Sequence, residues 1–253
     1  MDTLLNEDAL QRALSAAGLT APVRWDEVMD STNATALTMA DEGTAAWTLV
    51  AAGHQTAGRG RQGRMWRDRP GSALLFSLVL RPEWEPAVVG LVSLAAGAAM
   101  AEAASELSTY VIRCKWPNDL LVGESKVGGI LGEAEVESGR LGHVVVGIGV
   151  NLDEPEDVPG AGAIGDVDRE ALLAAFLQRF RSMIEGPPEE ILGRWRAASA
   201  TLGRRVEATT VGGDTASGVA ADLDETGALL IESGEGVVRV AFGEIQHLGV
   251  NQG

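Results

Sequence analysis

A chain of 253 residues with one cysteine, Cys114, cannot close an internal disulfide, which fits a reduced, cytoplasmic setting. Histidine is nearly as scarce. His54, His143 and His247 are far apart in sequence, and with no Cys/His cluster a structural zinc site is not expected. Basic residues are in deficit, 20 against 36 acidic ones, for a formal net charge of −16. Non-specific nucleic-acid binding depends on neutralising phosphates, so this balance argues against a nucleic-acid partner. Long apolar runs are also missing. The longest uncharged stretch, Pro86 to Ala101, has 16 residues, short for a membrane span and suited to a buried helix. The first ten residues, MDTLLNEDAL, lack the basic-then-apolar order of a signal peptide. Neither a membrane nor secretion is expected.

Lysine is the rarest basic residue. Arginine supplies 18 of the 20 basic side chains, and the only lysines are Lys115 and Lys126, 11 positions apart. Arginine bias by itself reflects a genome rich in G and C. It makes the two surviving lysines worth following.

What is present reads as α+β: a mixed, largely antiparallel sheet backed by helices, followed by a small C-terminal β-barrel. Asn6 caps a first helix that ends at Gly18. A strand over 22–28 precedes a helix capped by Ser31 or Thr32 and stopped at Gly43. Strands are expected over 48–53, 73–80, 111–115, 119–122, 126–137 and 141–152, with a helix over 86–107. The connections WPN, GES and ESGR are short enough to favour antiparallel hairpins. Two helices follow an acidic loop at 153–166. From 201 the texture changes to short alternating runs separated by glycines. This places one domain at 1–200 and a second at 201–253.

Four segments could carry chemistry. The densest is GHQTAGRGRQGRMW, residues 53–66. Gly58, Gly60 and Gly63 satisfy the spacing of a dinucleotide fingerprint, but no helix follows, so that reading fails. What remains is a loop with Arg59, Arg61, Arg64, Arg67 and Arg69 within 11 residues. Guanidinium forks match carboxylate and phosphate oxygens, and glycines let a backbone come close. The alternative is a solvated basic loop balancing acidic neighbours. Trp66 either stacks on a planar ring or packs.

The second segment is CKWPNDLLVGESKVGGIL, residues 114–131. It holds Lys115, an Asn118-Asp119 turn, Lys126 and the paired glycines Gly128 and Gly129 inside a strand. Such glycines indicate close approach of a ligand or another backbone, and an ordinary tight hairpin is the alternative. The third is Asp30-Ser31-Thr32-Asn33, which reads first as a helix cap, although a helix N-terminus also offers free N–H groups. The fourth is GIGVN, residues 147–151. Together these residues describe a pocket for an anion, one bearing phosphate, without revealing the reaction.

DSTN, HQTAGRGRQGRMW, KWPNDLL, KVGGIL and GIGVN, in this order, resemble bacterial biotin protein ligase of the monofunctional type. The motifs span about residues 25–155 and the layout spans the chain. The resemblance implies that ATP and biotin, with Mg²⁺, yield biotinyl-5′-AMP and pyrophosphate. Biotin then passes to a lysine of the apo biotin carboxyl carrier domain of acetyl-CoA or a related carboxylase. It implies an SH3-like form for the C-terminal barrel, and a monomer or weak homodimer. No resident metal site is implied.

By the same resemblance Ser31, Thr32, Asn33, Gln55, Gly58, Arg59, Gly60, Arg61, Lys126, Gly129, Ile130 and Gly147 bind biotin. Arg61, Arg64, Trp66, Lys115, Asn118, Lys126 and Asn151 hold ATP, and Lys126, Arg61 and Asp119 carry the chemistry. Some family members place a winged-helix DNA-binding domain first, and the roughly 22 residues before the first strand are too few for one. The family folds the segment after Asn151 over the adenylate. Here it carries Asp153, Glu154, Glu156 and Asp157. A lipoate ligase, a biotin-binding module without catalysis and a DNA-binding repressor are the competing readings. The full Arg loop with Lys126 disfavours the first two, and the charge disfavours the third.

Overall fold

The computed structural model describes residues 5–156, 158–210, 213–234, 236–241 and 243–248. Asp157 of the acidic segment and residues 249–253 of the expected second domain lie outside the described residues. Seven strands form one mixed sheet: β1 (Val23–Asp26), β2 (Leu49–Ala52), β3 (Ala73–Leu80), β4 (Ile112–Lys115), β5 (Asp119–Val122), β6 (Ser125–Glu137) and β7 (Arg140–Asn151). Their spatial order is β1-β2-β3-β7-β6-β5-β4. Among its neighbouring strands only β1 and β2 run parallel, and they are joined through a helix, α2 (Thr32–Asp41). A parallel neighbour needs such a crossover, whereas short turns force antiparallel pairs. The β6–β7 turn shows why. Ser138 (φ 51°) and Gly139 (φ 77°) form a two-residue connection with positive φ at both positions.

Alternation along the strands sorts their side chains onto two faces. Leu49, Ala51, Leu74, Phe76, Leu78, Val144, Val146 and Ile148 point into the main core. That core is completed by α1 (Glu7–Ala16), α3 (Gly90–Leu107), α4 (Arg169–Glu185) and α5 (Pro188–Ala198). Val50, Ala52, Val79 and Val145 face the other way and cluster with Met29 and with Ala36 and Ala40 of α2. Helix α3 is apolar all round. The stretch Pro86–Leu107 that contains it reaches a mean hydropathy of 1.7 in its most apolar part, enough for a membrane span, yet α3 is the central core helix, with Leu91, Ala95, Ala98 and Ala99 at 0% exposure. The thinly covered α2 face leaves room for a site.

A second, antiparallel sheet contains β8 (Arg205–Thr210), β9 (Thr215–Leu223), β10 (Leu229–Ser233), β11 (Gly236–Val240) and β12 (Gly243–His247). Its order is β11-β10-β9-β8-β12. The sequence predicts a small β-barrel here, and the antiparallel sheet fits that form. Among the described residues β11 and β12 are edges, and no ladder joins them. The small sheet is tied to the large one through the turn after β4. Trp116 Nε1–H donates to the Gly227 carbonyl at 3.1 Å, and its backbone N–H to Thr201 Oγ1 at 3.0 Å. Gly227 has φ +84°, and a Cβ there would meet Leu94 at 2.7 Å, so the turn fits only as glycine.

Candidate active site

The first turn of α2 opens the site. Ser31 caps the helix, its hydroxyl accepting from Ala34 N–H, and Thr32 and Asn33 follow. All three side chains are buried. The Thr32 backbone N–H donates to Gln55 Oε1 at 2.7 Å, and Thr32 Oγ1–H to the same oxygen at 3.2 Å. From β3, Ser77 Oγ–H donates to Asn33 Oδ1 at 2.6 Å and lies 2.8 Å from Thr32 Oγ1. Asn33 Nδ2–H donates to Glu133 at 2.8 Å and to the Leu131 carbonyl at 3.3 Å. Gly147 on β7 is what lets Asn33 reach this position. A Cβ at 147 would stand 2.0 Å from Asn33 Oδ1.

The other end is cationic. Lys126, at the start of β6, places Nζ 2.5 Å from Asp119 Oδ1. Arg61 reaches across the loop and donates to Asn118 Oδ1 at 3.3 Å and to the Gly243 carbonyl of β12 at 3.2 Å. Burial pushes the Arg61 guanidinium below its usual range, against the pull of Glu244 and Asp119. Lys115 closes the wall from β4. Between the two ends the Trp66 ring lies on glycine backbone. A Cβ at Gly149 would meet it at 2.7 Å and one at Gly129 at 3.4 Å. Its Nε1–H is buried without a hydrogen-bond partner, a donor left for an acceptor in the cavity.

These groups line one cavity of about 200 Å³. It is closed at one end by neutral donors and acceptors and at the other by three cations of the β4–β6 edge and the loop.

The comparisons with known proteins agree on where this architecture belongs. Residues 25–151 match the biotin/lipoate A/B protein ligase family, and residues 201–248 match the biotin protein ligase C terminal domain. The chain belongs to the biotin/lipoate A/B protein ligase family. It is similar to the biotin–[acetyl-CoA-carboxylase] ligase of Mycobacterium tuberculosis, 33% identical over 233 residues and covering 86% of each chain. It is 30% identical to the bifunctional ligase/repressor BirA of Bacillus subtilis over 257 residues, 96% of this chain and 79% of BirA. Among solved structures, the biotin protein ligase of Aquifex aeolicus in complex with biotin and ATP superposes with a TM-score of 0.75 at 27% identity. That match covers 90% of this chain and 99% of the Aquifex chain.

Within this family fold, Ser31, Thr32, Asn33, Gln55, Arg59, Gly60, Arg61, Arg64, Trp66, Lys115, Asn118, Asp119, Lys126, Gly129, Ile130 and Gly147 all reach the cavity. Gly58 and Asn151 do not. Gly58 instead gives room to the loop's own fold, since a Cβ there would stand 2.7 Å from the Trp66 carbonyl. Asn151 turns its amide to the Gly162 carbonyl at 3.0 Å, and so pins the segment after β7. That segment runs back along β6, where Lys126 N–H donates to the Gly160 carbonyl and Gly162 N–H to the Lys126 carbonyl, both at 2.8 Å. The acidic stretch therefore braces the backbone of Lys126.

The loop arginines do balance acidic neighbours in the ligand-free protein. Arg59 pairs with Glu133 at 2.9 Å, Arg64 with Glu244 and Arg69 with Glu156. Their charges are spread over carboxylates of β6, β12 and the acidic loop. Ser77, Glu133 and Glu244 belong to the site and carry no local sequence signal. Cys114 stays outside it, buried, with burial pushing its thiol far up and leaving it inert.

Proposed function

We propose that this chain activates biotin with ATP to biotinyl-5′-AMP, releasing pyrophosphate, and passes the biotinyl group to a lysine of a biotin carboxyl carrier domain. The single cavity with a neutral, hydrogen-bonding end and a cationic end carries this reading. A ureido ring offers one carbonyl and two N–H groups, matched by Thr32, Asn33, Gln55 and Ser77. The carboxylate and the α-phosphate then fall toward Arg59, Arg61 and Lys126. Glycines at 129, 147 and 149 let the Trp66 ring and Asn33 lie against the strands, and these side chains shape the slot for the bicyclic body.

In the first step a carboxylate oxygen bonds to the α-phosphorus and the bond to the β-phosphate breaks. Both partners are anions, so the step needs positive charge held in place. Arg61 and Lys126 supply it, fixed beforehand by Asn118, Gly243 and Asp119. Mg²⁺ enters with ATP as part of that substrate. The only described cluster of three metal-ligating side chains, Asp41, Glu135 and His143, lies outside the cavity, and magnesium ordinarily rides on phosphate oxygens. In the second step the lysine amine attacks the acyl carbon and AMP leaves. Asp119, freed as Lys126 turns to the phosphate, faces that amine. No protein nucleophile is required. The relatives' names support a carboxylase carrier as acceptor, and the charge of −16 supports a role without nucleic acid.

Two assays test the reading: pyrophosphate release on adding biotin and Mg·ATP, and biotin transfer to a purified apo carrier domain. Release driven equally by lipoate would move the substrate to the other branch of the family. Hydrogen exchange gives a companion test. Residues 56–70 should exchange faster without ligand and become protected by biotin with ATP, because the arginine side chains over the cavity are held by exposed pairs. Glu244→Ala, which frees Arg64, should speed exchange further in the free protein. Equal protection with and without ligand contradicts a closing loop.

A further inference from the structure

The two arms of the Gly/Arg loop run antiparallel and are cross-linked at three backbone levels. Gly71 N–H donates to the Gly53 carbonyl at 3.1 Å, Trp66 N–H to Gly58 at 2.9 Å and Gly60 N–H to Arg64 at 2.8 Å. Between the first and second levels the backbone has no cross-link among the described residues, because the incoming arm is paired elsewhere. His54 O accepts from Met29 N–H at 3.0 Å, and Thr56 N–H and Ala57 N–H donate to Met29 and Asp30 at 2.9 Å. A side-chain pair occupies this gap. His54 Nδ1 lies 2.8 Å from Asp68 Oδ2, and Gln55 N–H approaches both Asp68 oxygens at 3.4 Å.

We infer that His54 and Asp68 are positioning residues, a rung that holds the base of the Gly/Arg loop and fixes Gln55 against the first turn of α2. This inference rests on the ligase reading above and adds to it. The Asp68 side chain is wholly buried, at 0% exposure, while the His54 ring is 23% exposed. A buried carboxylate persists only with donors. Burial pushes the Asp68 carboxyl upward, and the hydrogen bond and charge of His54, with the Gln55 N–H, hold it down. His54 is the short contact of the two, so without it the carboxylate keeps only long bonds to one N–H.

The consequence reaches the cavity in two bonds. Asp68 holds the Gln55 backbone, and Gln55 Oε1 accepts from Thr32 N–H and Oγ1–H. Trp66, two positions before Asp68, carries the indole over Gly149. Both ends of the rung therefore set parts of the biotin slot, and neither touches the reacting phosphorus. Loss of the rung should weaken biotin capture and spare the chemical step.

The experiment combines steady-state pyrophosphate release with hydrogen exchange on His54→Ala, His54→Asn and Asp68→Ala. Losing one partner of a buried pair should raise KM for biotin about 10- to 100-fold, with kcat within about threefold of wild type. Exchange across 55–70 should rise in the ligand-free variants while α5 is unchanged. His54→Asn places an amide donor where Nδ1 lay and should restore KM to within about fivefold. His54→Gln, whose donor falls nearer the Nε2 position, serves as the loss variant should alanine fail to fold. Wild-type KM and wild-type loop exchange in the loss variants overturn the inference. So does an asparagine variant as impaired as alanine in both readouts, since the donor and not the ring is what the rung requires. If wild type itself releases no pyrophosphate with biotin, the ligase reading fails, and the ligand-free exchange still decides whether the rung holds the loop.

Discussion

Lys126→Ala lowers biotin-dependent pyrophosphate release by about 10²–10³, roughly 3–4 kcal/mol, while the melting temperature stays close to wild type. The ammonium is half-exposed at the cavity mouth and paired with Asp119 at 2.5 Å, so little packing depends on it. An exposed pair of this kind contributes about 0–1 kcal/mol to folding. In the reaction the same charge lies where negative oxygens crowd together. Its removal also leaves Asp119 uncompensated, which adds repulsion toward the incoming carboxylate. Arginine should rescue poorly, because a planar fork cannot take the place of a compact ammonium beside Asp119 and Gly129. Release assays and thermal melts of wild type, Lys126→Ala and Lys126→Arg check this. An alanine variant within about threefold of the wild-type rate removes Lys126 from the mechanism.

Gly147→Ala raises the dissociation constant for biotin by about 10- to 100-fold, the range expected when one carbon overfills a fitted site at a cost of about 1–3 kcal/mol. The added carbon would stand 2.0 Å from Asn33 Oδ1 and 3.2 Å from Ser77 Oγ. Asn33 must then move, and its bonds to Ser77, Glu133 and Leu131 break together. The neighbouring backbone cannot yield easily, since β7 is paired on both sides by β3 and β6. Gly193→Ala in α5 is the control. Its Cβ meets nothing within 4 Å, so it should leave biotin binding alone and stabilise the helix by up to about 1 kcal/mol. Biotin titration of both variants decides the matter, and an unchanged affinity in Gly147→Ala contradicts the assignment of this corner to biotin.

The parts of this fold that follow local rules were legible in the sequence. Ser31 as a cap, hairpins at WPN, GES and ESGR, and a change of texture after Ser199 all depend on a few adjacent residues. Glycines in GIGVN announced a close approach, yet not what approaches, because Asn33 comes from a helix more than a hundred positions earlier. Glu244 was illegible for the same reason. In an alternating strand it looks like any solvated acid, and only the fold brings it to Arg64. His54 opens the recognisable motif and Asp68 lies two positions beyond its end, so nothing local pairs them. Asn151 shows the opposite situation. It sits inside a telling motif, and the chain reversal after β7 claims its amide.

The ion pairs of the Gly/Arg loop have one more consequence, which concerns dissolved salt. Arg59–Glu133, Arg64–Glu244 and Arg69–Glu156 join groups in contact with solvent, where mobile ions at physiological strength screen charge over about 8 Å. The part-buried Arg61 contact to β12 and the His54–Asp68 contact, whose carboxylate is buried, meet those ions less. The loop is thus two materials in series, a tip whose grip fades as ionic strength rises and a base that registers it far less. Concentrated salt would loosen the cover over the cavity while the floor beneath it stays set.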